Sequence, residues 1–258
     1  MTTIAILGLG QAGGMYARGL AAAGAEVHGF DPNRRLGDPA VTQHDDVASA
    51  VAGADVVVCL VPGSEAVDAA TQAMSHVPAA ALYADLNTTA PGTKSAVASL
   101  AQARGIAMAD IAILAPVLRA GLRTPLLASG GGATRFSELI GPFGAPVEVI
   151  DGEPGDAARR KLLRSVYMKG LAALVMETMT AARAAGLEDW VRDQIAAELE
   201  SADGHATIDA MDAGTHRHAV RREHEMRAAL AMLEATGQPA DLTRATVAWF
   251  ERVVAGEA

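Results

Sequence analysis

Two lysines stand eight residues apart in one helix-forming run, Lys161 and Lys169 of RRKLLRSVYMKG (159–170). A lysine beside a bound hydroxyl can take or give a proton once burial and neighbouring charge bring its pKa toward neutrality. Eight residues turn a helix about 80° past two full turns and advance it ~12 Å, so the two ammonium groups do not easily serve one reacting atom. Ser165 follows Lys161 by one turn and brings a hydroxyl that both donates and accepts. By position alone, either lysine also reads as a solvated charge among Arg159, Arg160 and Arg164.

A proton carrier of this kind needs a partner for the electrons, and ILGLGQAGG supplies the signal for one. Gly8, Gly10 and Gly13 have G-x-G-x-x-G spacing, with Gln11 and Ala12 between the last two, after an apolar run and at the mouth of a helical pattern. The first glycine permits a tight turn, the second lets a pyrophosphate approach the backbone, and the third lets helix and strand pack closely. Asp31 ends the next strand pattern, EVHGFD, about 20 residues on, where an acid binds the ribose hydroxyls of a dinucleotide. That acid favours NAD over NADP, because it repels a 2′-phosphate. Arg34 and Arg35 lie close behind and either accept that phosphate or stand as loop charges in solvent.

The elements that must position these groups change character along the chain. Short β-branched runs alternate with helical patterns through TIAILGLG, EVHGFD, ADVVVCLVP, ALYADLN and IAMADIAIL. This is the pattern of an α/β fold, a Rossmann doubly wound parallel sheet with crossover helices. From Arg159 onward only helical spacing remains, and Leu162, Val166, Leu171, Leu174, Val175, Thr178 and Met179 mark one face. The expected division is therefore a dinucleotide-binding domain over 1–154 and an all-helical domain over 155–258.

Composition removes other classes. The 258 residues are half apolar and carry a formal net charge of -9, which argues against a phosphate-backbone binder, so nucleic acid is not an expected partner. The single Cys59 excludes a disulfide within the chain, as befits a reducing cytoplasm. MTTIAILGLG has no basic start and breaks at glycine, so neither a signal peptide nor a membrane span is expected there. His216, His218 and His224 have no metal-motif spacing, and no metal is expected.

With the glycine fingerprint, DLNTTAP (85–91) and the KLLRS…METMTAARAAGLE helix together, the chain resembles the β-hydroxyacid dehydrogenase superfamily, related to 6-phosphogluconate dehydrogenase. Its C-terminal half is similar to a poorly characterised, divergent branch. DLNTTAP matches the family's D-x-S-T-x-x-P segment, with Asn87 for the usual serine, and the resemblance implies that this loop lies near the nicotinamide. Pro62 and Ser64 in LVPGSEAV match a segment that lines the cofactor. Counting back from Glu177 and AGL (185–187) makes Lys161 the match to the family's catalytic lysine, with Arg164 and Ser165 where asparagine is usual. Lys169 is then a feature of the branch.

The chain departs from the family where D-A-P-V-S-G-G would grip a substrate carboxylate, reading DIAILAPVLRAGLRTP instead. Arg119, Arg123 and Thr124 either bind an anion there or form a solvated loop. In HEMRAALAMLEATGQP, His224 falls where the family has a cofactor- or substrate-contacting lysine. The resemblance implies an NAD(P)-dependent oxidoreductase acting on a small polar hydroxy compound, with its site in the cleft between the domains and a homodimer formed through the helical half. An imine reductase of the same architecture, or a dinucleotide-binding sensor without chemistry, are the alternatives.

Overall fold

The computed structural model describes residues 1–200 and 203–257. The chain divides into two compact units, Met1–Arg164 and Ser165–Ala258.

The first unit is built on an eight-stranded sheet of order β3-β2-β1-β4-β5-β6-β7-β8. Its strands are β1 (Thr3–Leu7), β2 (Glu26–Phe30), β3 (Thr42–Gln43), β4 (Val56–Cys59), β5 (Leu82–Asp85), β6 (Ala107–Ile113), β7 (Leu126–Ser129) and β8 (Val147–Val149). Between them run α1 (Gln11–Ala22), α2 (Val47–Val51), α3 (Ala66–Met74), α4 (Pro91–Gln102), α5 (Val117–Ala120) and α6 (Ala133–Ile140). β1, β4 and β5 are almost wholly buried, as continuous apolar strands covered on both faces must be. The order reverses between β1 and β4, so a crevice opens at their carboxyl ends, where open α/β sheets bind ligands.

The sheet is not parallel throughout, as the strand pattern suggested: β7 runs antiparallel to β6. The segment 114–125 between them holds only α5 and a short 3-10 turn, and no helix of it crosses back over the sheet to restart a parallel strand. β7 is only four residues long, LLAS, which is too short for its direction to be read from periodicity.

Among the described residues no strand follows β8. A single helix, α7, runs from Asp156 to Ala184, and α8 (Glu188–Glu200), α9 (Gly204–Arg217), α10 (Ala219–Ala235) and α11 (Asp241–Ala255) complete the second unit. The division falls inside α7 rather than before it, because Ala157 and Ala158 are buried in the first unit and its backbone N–H groups are capped there. Within the second unit, Glu177 of α7 accepts hydrogen bonds from the N–H groups of Leu242 and Thr243 and from the Thr243 hydroxyl, so this carboxylate caps α11.

Candidate active site

Each fingerprint glycine has a different physical reason. Gly8 follows β1 with φ +92°, and a Cβ there would stand 2.3 Å from the Leu60 carbonyl oxygen. A Cβ on Gly13 would lie 1.9 Å from the Gly8 carbonyl oxygen. These two are required by the turn and by the seating of α1. Gly10 precedes α1, and a Cβ there would meet nothing within 4 Å. No packing in the chain demands glycine at position 10, so its bare backbone suits a group approaching from outside. The first N–H groups of α1 have no partners within the helix and bear its positive end, so the cradle fits a pyrophosphate.

Asp31 holds this turn in place. Its Oδ2 accepts the Leu9 N–H at 2.8 Å and its Oδ1 accepts the Asn33 N–H at 2.8 Å. Beside it a cleft of about 490 Å³ is lined by Gly10, Gln11, Arg18, Asn33, Arg34 and Arg35. Arg18 is paired with Asp38 and Arg35 with Asp45. Pro62 and Ser64 are exposed just after β4, at the same end of the sheet.

After β5 the chain makes a turn that Asp85 organises by accepting the Asn87 N–H at 2.8 Å. Asn87 is buried, its Oδ1 accepting from the Val61 N–H and its Nδ2 donating to Cys59 Sγ at 3.4 Å. The side-chain amide therefore ties the β4 and β5 loops together. Burial pushes the Cys59 thiol up, so it stays protonated and is no nucleophile. Thr88 is exposed on this turn, and Lys161 Nζ donates to its Oγ1 at 2.7 Å. Lys161 is half-buried and, with Asn87, Thr88, Thr89 and Ala112, lines a small pocket over the carboxyl ends of the strands.

A third lysine lines the same pocket, and the motifs above did not single it out. Lys94 of α4 is 1% exposed, with its Nζ 3.1 Å from Asp85 Oδ1 and 3.2 Å from Asp110 Oδ1, and it donates to the Asp85 carbonyl at 2.7 Å. Asp110 Oδ2 accepts the N–H groups of Gly155 and Ala158, and Ser129 Oγ accepts that of Ala157. Burial pushes the Asp85 carboxyl up, with Lys94 beside it acting the other way. The signal that finds Lys94 is scarcity. Of the 21 lysines and arginines, only Lys94, Lys161 and Lys169 are lysine, so surface charge is carried by arginine.

Residues 3–140 match the NAD binding domain of 6-phosphogluconate dehydrogenase, and residues 182–253 match a domain family of unknown function, DUF1932. The chain belongs to the β-hydroxyacid dehydrogenase superfamily. A conserved protein of unknown function, described as structurally similar to 3-hydroxyacid dehydrogenases, is 30% identical; 97% of this chain aligns with 96% of that one at a TM-score of 0.64. A probable 3-hydroxyisobutyrate dehydrogenase of Mycobacterium tuberculosis is 28% identical over 195 residues, which span 72% of this chain and 66% of the relative. An imine reductase from Myxococcus stipitatus in complex with NADP+ superimposes at a TM-score of 0.85 over 100% of this chain and 96% of its own, at 17% identity, a likeness of fold.

Arg164 is exposed at the end of the first unit, and Ser165 is half-buried one turn beyond Lys161. Arg119 is exposed on α5, and Thr124 is buried with its hydroxyl donating to the Gly121 carbonyl, so it serves its own turn. Lys169 is exposed, and His224 is exposed beside Glu223 at 3.6 Å. No described helix is long and apolar enough to cross a membrane.

Proposed function

We propose that this chain is an NAD(P)-dependent oxidoreductase that interconverts a small polar hydroxy compound, of the hydroxy-acid or sugar-acid kind, and its carbonyl form, with Lys161 moving the proton. The observation that carries the reading is the 2.7 Å contact of Lys161 Nζ with Thr88 Oγ1, on the loop after β5 in a sheet whose β1 ends in the glycine cradle. The bound nicotinamide supplies the hydride acceptor or donor. The Gly10 backbone and the start of α1 hold the pyrophosphate, and Asn87 fixes the wall on which Thr88 stands. Thr88 accepts one ammonium hydrogen and thereby aims Lys161. In the proposed reaction Lys161 gives a proton to a substrate oxygen in reduction or, when neutral, takes one from it in oxidation. The loop lacks the serine and two glycines that the family resemblance assigns to a substrate carboxylate, which supports a substrate of other shape.

Cofactor choice follows from the cleft. Asp31 favours an unphosphorylated ribose by its charge, but both its oxygens already accept backbone N–H groups, and Arg34 lines the cleft beside it. Arg34→Ala is expected to weaken NADP binding about tenfold more than NAD binding, the size of a charge-assisted hydrogen bond; equal losses would leave Asp31 and NAD as the reading. We further infer a homodimer through the helical unit, which leaves Val166, Tyr167, Met176, Trp190, Ile208 and Trp249 exposed.

The test is turnover of hydroxy acids, sugar acids and imines with each cofactor, for the natural chain beside Lys161→Ala. Loss of about 10²–10⁴-fold in kcat with unchanged cofactor affinity is expected. Full turnover by Lys161→Ala overturns the lysine's role. Turnover of imines alone makes the chain an imine reductase, and tight cofactor binding without any turnover makes it a sensor.

A further inference from the structure

We propose that Lys94 is the positioning residue for Lys161: its ammonium locks together, from beneath, the two pieces of chain that bring Thr88 and Lys161 into contact. The inference rests on the reading of Lys161 as the proton carrier.

The connections run in two directions from one buried nitrogen. On one side Lys94 Nζ holds both the carbonyl and the Oδ1 of Asp85, and that same Oδ1 accepts the Asn87 N–H that starts the turn carrying Thr88. On the other side it pairs with Asp110 Oδ1, while the second oxygen of that carboxylate accepts the Gly155 and Ala158 N–H groups at 2.9 and 3.0 Å. Lys161 follows Ala158 by three residues on the same helix, less than one turn from the capped end. The ammonium donates to the Asp85 carbonyl and is ion-paired with one oxygen of each carboxylate, at 3.1 and 3.2 Å, so its charge is spent inside the protein and not offered to a ligand.

An apolar residue would fill the space of Lys94 without joining the two loops. A buried carboxylate needs either a cation or a proton, and two of them facing one another need it more. Asp85 Oδ2 and Asp110 Oδ1 have no hydrogen-bond partner among the described residues, Asp110 Oδ1 being held by its ion pair with Lys94 alone, so the cluster has no surplus of donors to absorb the loss of Lys94. Without the ammonium, Asp85 and Asp110 repel, and the β5 loop and the head of α7 part at the place where Thr88 meets Lys161. A displacement of about 1 Å at a reacting group is enough to cost on the order of a hundredfold in rate.

Because the chain has only three lysines, the contact can be watched without any substrate. In protein grown with ¹³C-lysine and saturated with NADPH or NADP+, the Lys161 ε-methylene signal is assigned by Lys161→Arg and should show a cross-peak to the Thr88 methyl. In Lys94→Met that cross-peak should fall at least threefold while the Lys169 signal stays in place. Asp110→Asn, which keeps the shape of the helix cap but removes one carboxylate, should weaken it less. An undiminished cross-peak in folded Lys94→Met overturns the proposal; if Lys94→Met does not fold, an undiminished cross-peak in Asp110→Asn does so. On any compound the enzyme turns over, Lys94→Met should lose at least tenfold in kcat with cofactor affinity within twofold, and a loss confined to KM would also count against it. If the cross-peak depends on Lys94 but Lys161→Ala keeps full turnover, the positioning stands and the proton-carrier reading falls, so the two failures are distinct.

Discussion

The two units treat charge and apolar surface in opposite ways. In the first, Lys94, Asp85 and Asp110 are at most 1% exposed, and the sheet between them is covered on both faces. In the second, the buried apolar residues are few, Met179, Ala182, Ala219, Leu233, Ala240 and Val247, while on α7 Val166 is 74% and Met176 71% exposed. Burying apolar area is worth about 25 cal/mol per Å². The first unit has therefore taken most of what its composition offers and can hold ions inside for a purpose. The second leaves much of that area uncollected within one copy, as the proposed homodimer requires.

The largest expected effect breaks the first side of this contrast. Lys94→Met should lower the unfolding free energy by about 3–5 kcal/mol, the usual result of removing one partner from a buried ionic cluster. Replacing the whole cluster, Lys94→Met with Asp85→Asn and Asp110→Asn, should recover most of that loss, since no uncompensated charge is left. Urea unfolding of the two variants measures both numbers. A triple variant no better than the single one would mean that the ammonium's hydrogen bonds, not the charge balance, hold the loops.

Two carboxylates sharpen the contrast through pH. Burial raises Asp85 despite Lys94. At Glu177 burial also acts upward, but hydrogen bonds from the Thr243 hydroxyl and from the Leu242 and Thr243 N–H groups outweigh it and leave the carboxyl lowered. A lowered acid stabilises above its unfolded value, near 4.3, and loses that contribution as pH falls through its folded value. A raised acid does the reverse, contributing below its unfolded value and losing it as pH rises through the folded one. Glu177→Gln should thus cost about 1 kcal/mol at neutral pH, as a lost helix cap does, and should flatten the fall of Tm below about pH 5. Asp85→Asn should instead flatten the change on the neutral side of that range. Identical Tm profiles for the natural chain and Glu177→Gln would remove the cap from the account.

How much of this was legible in the chain depends on whether a residue answers to its neighbours in sequence or in space. Gly8 and Gly13 are demanded by backbone packing and Gly10 by what approaches it, so their spacing could be read directly, as could Asp31 at the end of β2. The alternation of strand and helix patterns was equally local. The antiparallel β7 was not, because four residues carry no direction and the turn before it has no strong signature. Lys94 escaped because, in PGTKSAVASL, a lysine on the first turn of an ordinary helix looks solvated; only the pairing of β5 with β6 puts Asp85 beside Asp110 and makes a cation necessary between them. Lys161 was found through its resemblance to a family motif, and its partner Thr88 lay inside a segment already singled out, but their contact is a fact of space 73 residues apart.

The smallest expected effect on a single chain tests the other side of the contrast. Val166→Ser and Met176→Ser change side chains that one copy leaves 74% and 71% exposed, so in an isolated chain each should alter stability by no more than about 0.5 kcal/mol. If a second copy covers these positions, the same changes act on association instead. The natural chain should then sediment as a dimer and melt at a temperature that rises with concentration, and the double variant should lose both behaviours while its Rossmann unit still binds dinucleotide. A natural chain that stays monomeric, with a Tm independent of concentration, would mean that this apolar face serves some other purpose and that the homodimer must be given up.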